Sequence, residues 1–265
     1  MTAPVTGTSG AGADPGPATA AAPPARRVLS QAWFEAMTML RNGEQLLVAI
    51  VLPALMLLAL SRGVIPGIEG PQALGLSMAG VFGLAVISTA FTGQAISTGF
   101  DRRYGVLRLL GTTPLGRGGL LGAKALAVLV VLAVQLVVLG ALGMVLGWQP
   151  HPGRLLLAVP LLVVGAWVFV ALALLLAGTV RAEAVLAVAN LLWVLVLGAG
   201  GIVVPPEVLG PWAATVVPVL PFGALGEALR SVMVTGAVPA VPVIVLVAWG
   251  VVFAILASRF FRWSD

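Results

Sequence analysis

Uncharged apolar runs recur along this 265-residue chain, and they limit its fold more than any other feature. A helix of about 20 apolar residues crosses a hydrocarbon core of about 30 Å. Six runs of that order can be placed, at about 45–61, 72–97, 125–148, 155–180, 184–204 and 237–258. The first is short and is interrupted by Pro53. Run length selects helices, because strands of a membrane barrel show segments of about ten alternating residues. Only 9% of the chain is charged and 60% is hydrophobic, whereas a soluble domain carries roughly 25% charged residues. A mean hydropathy of +1.12 leaves too little polar surface to cover a water-soluble globule. The reading is an all-α polytopic membrane protein with six transmembrane helices.

The flanking segments complete this plan. Residues 1–27 are rich in Ala, Gly, Pro, Ser and Thr, with Asp14 the one acidic residue. Such a segment buries too little surface to offset its ordering entropy and is expected to be a disordered tail. It also lacks the basic start and apolar run of a signal peptide. The next segment, from Ser30 to Asn42, has helical periodicity. Leu29, Trp33, Ala36, Met37 and Leu40 share one face, and Gln31, Glu35, Thr38 and Asn42 the other. That pattern predicts an amphipathic interface helix, since Arg41 and Glu44 would be costly in hydrocarbon. Residues 205–236 contain an uncharged stretch broken by Pro211, Pro218 and Pro221. Proline removes a backbone donor, so this stretch reads as a re-entrant segment at the outer surface.

Charge distribution supports six crossings. With the N-terminus inside, the cytoplasmic cations are Arg26, Arg27, Arg41, Arg102, Arg103, Arg108, Arg117, Lys124, Arg181, Arg259 and Arg262. Arg62, Arg154 and Arg230 fall outside. Eleven against three fits the positive-inside rule better than the ten against four that a seventh span would give. Trp148, Trp212 and Trp263 lie near span ends or in loops and read as interfacial anchors.

Several chemistries are excluded. The chain has no Cys, hence no disulfide or thiolate site, and its single His151 cannot build a multi-histidine metal centre. A pI near 11.3 comes from few charges on an apolar chain. Nucleic acid recognition needs clustered, exposed cations, so no nucleic acid partner is expected. No catalytic set is legible, and the segment Gly118 to Lys124 fails the phosphate-loop pattern because Ala123 stands where Gly must precede Lys. No ionisable residue occupies a span centre, which argues against proton coupling or a charged ion filter. The uncharged polar residues Thr92, Gln94, Gln135 and Asn190 are candidates for a substrate path; equally, they could hydrogen-bond neighbouring helices.

The most informative stretch is the loop at 99–118, between the second and third spans. It carries Arg102, Arg103, Arg108 and Arg117, while Phe100, Tyr104, Leu107 and Leu110 recur at helical spacing and Pro114 turns the chain. A short basic amphipathic helix is predicted, serving either as an anchor on anionic lipid or as a docking knob for a cytoplasmic partner.

This segment resembles the cytoplasmic loop of ABC-2 type transporter permeases, including the daunorubicin-resistance-like exporters. The shared features are Asp101-Arg102-Arg103, Tyr104-Gly105, Leu107 to Leu110, Thr113-Pro114-Leu115 and Gly122-Ala123-Lys124. Val106 stands where Thr is common, and Ala123 separates Gly122 from Lys124. The likeness extends over about residues 28–265, including a loose match of the outer segment through Pro205-Pro206, Trp212, Pro218, Pro221 and Leu229-Arg230.

The resemblance implies an ABC-2 or type V exporter-like transmembrane domain in a bacterial cell membrane, with both termini cytoplasmic. It implies a separate ABC-type ATPase subunit carrying ATP and Mg, so that this chain has no cofactor of its own, and a second permease copy or a sister permease. ATPase coupling would fall to Arg102, Arg103, Tyr104, Gly105, Leu107, Arg108, Thr113 and Pro114, supported by Trp33, Glu35 and Met37 of the interface helix. The expected cargo is a lipophilic drug, a lipid or a lipid-linked glycan. A non-transporting membrane scaffold is the alternative. An intramembrane enzyme is disfavoured by the absence of catalytic polar residues in the spans.

Overall fold

A computed structural model describes residues 22–63 and 72–263. The rest of the expected N-terminal tail, residues 1–21, and part of the first outer loop lie outside these. Within them the chain is helical, and no strand occurs among the described residues.

Helix α1 is Pro24–Arg41, so the helix takes in the last residues assigned to the tail. Proline opens it where the missing N–H costs nothing, and Arg41 sits in its last turn, beside the negative end of the helix dipole. Helix α2 runs without a break through Gly43–Leu46, the wide-turned Leu47–Val51 and Leu52–Ser61. The π-type turn immediately precedes Pro53, whose absent N–H a regular ladder would leave as a gap. At 1.5 Å per residue these segments reach roughly 28 Å, just about a bilayer core, and the apolar part, Ala49–Ser61, is shorter still.

Helix α3, Ala73–Arg103, is the central element. Most of its apolar window is buried, 83%, against 22% in the last helix. It too contains a π stretch, Ile87–Gly93. A short helix α4, Val106–Gly111, follows, and then α5, Gly116–Val145. Next come α6, Pro152–Thr179, and α7, Ala182–Ala199. A 3-10 turn at Pro206–Leu209 leads into α8, Pro211–Val216, and α9, Pro221–Thr235. Helix α10, Ala240–Phe260, ends the bundle.

Five of these helices, α3, α5, α6, α7 and α10, are long and apolar enough to cross a membrane. The segment expected to be re-entrant bends at a right angle: Pro211–Val219 and Pro221–Thr235 meet at 95°. Two short helices, each opened by a proline, make the bend, a geometry common to a broken span and a re-entrant loop. Gly223 makes the bend possible, since a Cβ there would run into the Val217 carbonyl.

The two ends of the bundle differ in charge. One end gathers α1, α4, the start of α5, the α6–α7 junction and the end of α10. There Arg262 N–H donates to Gly178 O at 3.1 Å and the Arg117 guanidinium lies 4.7 Å from the Trp263 ring centre. The other end gathers Arg62, Arg154 and the bent pair α8–α9; Arg154 donates to Met233 O at 3.2 Å. The two sets of cations separated on sequence grounds thus sit at opposite ends.

Candidate coupling site and inner cavity

The predicted loop helix is built differently from its expected form. Helix α3 continues through Arg103, so the residues around Phe100 belong to the end of a spanning helix. Gly105, at φ +73°, then breaks the helix in a conformation that other residues adopt only under strain, and α4 begins at Val106. Thr113 Oγ1 donates to Leu110 O at 2.6 Å, closing the end of α4. The Pro114 carbonyl accepts from the Arg27 guanidinium, tying this turn to α1. Helix α5 starts at Gly116, well before the expected 125, so Arg117 and Lys124 stand on the same continuous helix as the third span.

On α4 the side chains divide by depth. Leu107 is 1% exposed and anchors the helix from below. It is therefore not a surface that a partner could grip, contrary to the docking role expected of it. Tyr104 and Leu109 are 71% and 68% exposed, and Arg108 is exposed between them. Leu109, absent from the expected set, is the leucine that α4 turns outward. A spacing of two residues puts Leu107 and Leu109 on different sides of a helix.

Beneath this knob lies a buried ionic junction. Lys124 Nζ donates to Glu35 Oε2 at 2.9 Å and to Asp101 Oδ2 at 2.7 Å. Glu35 also accepts from Gln31 at 3.0 Å. The side chains of Lys124, Glu35 and Asp101 are 2%, 10% and 30% exposed. Three helices, α1, α3 and α5, are thus pinned at one point. Glu35 does not lie on a solvated face of α1: Ala32, Glu35, Ala36 and Met39 are buried, while Leu29, Trp33 and Phe34 point outward and Met37 is half-buried. The helix is turned from its expected orientation because an ammonium buried at Lys124 requires a carboxylate on the facing helix. Lys124 was absent from the expected site; a lone lysine opening an apolar run is the signal that marks such a partner.

The neighbouring arginines clamp α3 to α6 and α7. Arg102 donates from both terminal nitrogens, to Ala177 O and Val180 O at 2.6 Å each, capping the carbonyls that end α6. Arg103 pairs with Glu183 in the first turn of α7.

Above the junction is a cavity of about 580 Å³ walled by α1, α2, α3, α4 and α7. Of the four candidate path residues, Thr92 and Asn190 line it, and Gln94 and Gln135 do not. Gln135 is engaged in helix packing: it accepts from Thr89 Oγ1 at 2.8 Å and donates to Ala49 O at 2.8 Å. Gln94 donates to Thr98 Oγ1 at 2.8 Å. Ser88 Oγ, also on the cavity wall, accepts from Trp193 Nε1 at 2.8 Å and so fixes α3 against α7. At the opposite end Arg230 is buried and donates to Gly201 O at 2.6 Å and to Glu227 at 3.1 Å. This outer cation therefore staples α9 to the end of α7 and is not a free surface charge.

No group of three or more His, Cys, Asp or Glu residues that could hold a metal ion occurs among the described residues.

A polytopic helical bundle with an exposed helical knob and an ionic junction at its basic end has the build of a membrane permease moved by a partner. The ABC-2 type transporter family matches residues 27–234, and the chain belongs to that family. It is a permease component of an ABC transporter, a class that sits in a membrane and works with an ATP-binding partner. No curated protein matches it.

Proposed function

We propose that this chain is the membrane subunit of an exporter that moves a lipophilic drug, a lipid or a lipid-linked glycan. ATP and Mg bind a separate ATPase chain, and a second copy or a sister permease completes the pathway. The basic end, with both termini, faces the cytoplasm of a bacterial cell, as the positive-inside rule requires.

The observation that carries this reading is the connection from α4 to the bundle. Tyr104, Arg108 and Leu109 face outward, and directly behind them Arg102 and the Asp101–Lys124–Glu35 junction fasten α3 to α1, α5 and α6. Helix α3 runs without a break from Ala73 to Arg103, so a displacement at its end is carried toward the membrane interior. A partner shifts a two-state equilibrium only by its differential affinity, and a near-complete switch takes about 5.5 kcal/mol. An aromatic, an arginine and a leucine on one short helix are residue types suited to that load.

The test is co-purification with the ATP-binding partner subunit. Tyr104→Ala combined with Leu109→Ala is expected to abolish association and transport while leaving the chain folded. Full association with undiminished transport would refute the docking role.

A further inference from the structure

At the end of the bundle away from α4, a second cavity of about 420 Å³ opens between the start of α3, the link from α5 to α6 and the end of α9. Its polar lining is Gln72, Trp148, Gln149, His151 and Arg154, and no Asp or Glu of the described residues lines it. Arginine is always cationic and histidine is neutral or cationic, so the titratable lining carries no negative charge. Glu227 on α9 is held by Arg230 at 3.1 Å, and Glu207, like Glu227, stays off the lining. Glu69 falls outside the described residues.

Arg154 is held in place but not neutralised. It is half-buried and has no carboxylate partner among the described residues, whereas Arg103, Lys124 and Arg230 each have one. Its Nη1 donates to Met233 O at 3.2 Å, one of the carbonyls left open where α9 ends. Gly236, at φ +79°, ends that helix, and a Cβ there would lie 3.7 Å from Arg154 Nε, so the side chain is laid along the helix end. The guanidinium carries several N–H donors, and this contact uses one. Apart from it, none of the polar lining side chains hydrogen-bonds a described residue. A partly desolvated cation ringed by idle donors favours an anion, and a planar guanidinium fits the oxygens of a phosphate in particular.

The other flank of the cavity is apolar, with Leu74, Leu155 and Val234. Trp148, packed edge-on against Phe82 with centroids 6.0 Å apart, stands at the end of a spanning helix, where aromatic residues mark the headgroup level. Basic pockets between spanning helices at that level hold lipid headgroups.

We propose that this cavity binds a phosphate group, with the Arg154 fork on its oxygens and the amides of Gln72 and Gln149 as further donors. The apolar flank suits a phosphate carried on a glycerolipid of the adjoining leaflet; inorganic phosphate is the other source of the same chemistry. The site lies at the opposite end from the coupling helix and needs neither ATPase nor cargo.

The experiment uses the full chain in detergent. Native mass spectrometry counts bound phosphatidylglycerol and, in separate samples, diacylglycerol with the same acyl chains; equilibrium dialysis follows radiolabelled inorganic phosphate. Arginines at the basic end also attract anionic lipid, so the quantity read is the binding event that Arg154 controls. Arg154→Gln should weaken one event by about ten- to hundredfold, the span of a charge-assisted hydrogen bond. Arg154→Lys, which keeps the charge and loses the fork, should fall between. Arg259→Gln, exposed at the basic end, should leave that event alone. Gln149→Trp fills the cavity from an exposed loop position without touching the Met233 contact; it should remove the same event at unchanged Tm. Phosphatidylglycerol and phosphate binding that is the same in wild type, Arg154→Gln and Gln149→Trp would overturn the assignment. Diacylglycerol bound as tightly as the phospholipid at the Arg154-dependent site would overturn it too. Displacement of the lipid by inorganic phosphate supports the site and shows that the free anion fills it; Arg154-dependent lipid binding that inorganic phosphate leaves untouched supports it as a headgroup site.

Discussion

Removing the Lys124 ammonium isolates the energetics of the junction. In Lys124→Met the volume is nearly kept, and Glu35 and Asp101 lose the donor that they share at 2.9 and 2.7 Å. Breaking a buried pair by deleting one partner costs about 3–5 kcal/mol, because an uncompensated charge stays behind. Asp101 keeps some water, with 30% of its side chain exposed, so its share is discounted and the lower end, about 3 kcal/mol, is expected. For a chain of this size that is roughly 6–12 °C in Tm. Glu35→Gln should cost far less, about 1 kcal/mol or under, since it leaves a neutral Lys–Asp pair and keeps an acceptor for Gln31. The triple replacement Lys124→Met, Glu35→Gln and Asp101→Asn removes every charge, and exchange of a whole buried ionic group for neutral side chains is often close to neutral. It should recover most of the lost Tm. The assay is thermal unfolding in detergent, followed by tryptophan fluorescence. A Lys124→Met protein within 2 °C of wild type would refute the reasoning, as would a triple variant no more stable than the single one.

Three further outcomes follow from the same geometry. Leu107→Ala should lower stability by about 2–5 kcal/mol, as large-to-small changes in a packed site do, while Leu109→Ala leaves Tm unchanged and weakens only ATPase association; thermal unfolding and co-purification on the two variants check the division. Arg102→Lys replaces two guanidinium contacts to Ala177 O and Val180 O with at most one point donor, and hydrogen exchange of the 177–183 backbone should accelerate about tenfold or more. Gly223→Ala forces the re-entrant bend apart at the Val217 carbonyl, so a cysteine pair placed across the bend should lose its cross-linking while the basic end keeps its ATPase.

Five of the six expected spans were legible because the bilayer acts on each segment separately, and an uncharged run long enough to cross has few other fates; the first, around Pro53, has an apolar part of only Ala49–Ser61. Proline spacing was equally local, and it located the bend between α8 and α9. What stayed hidden is everything decided between segments. The polar face assigned to α1 assumed water on that side, yet Glu35 turns inward because Lys124, 89 residues away, is buried there. Gln135 read equally well as a contact for cargo, and only its bonds to Thr89 and Ala49, 46 and 86 residues distant, reveal a helix-packing role. Leu107 and Leu109 were indistinguishable as members of a leucine-rich turn until Gly105 fixed where α4 begins. In a chain this apolar each buried polar group must find a partner among the few others present, and the sequence displays those groups without their pairing. Thr92 is the instructive remainder: its neighbours Ser88 and Thr89 are claimed by Trp193 and Gln135, while its own buried hydroxyl finds no partner on the facing helices, a mismatch that helix spacing alone does not reveal.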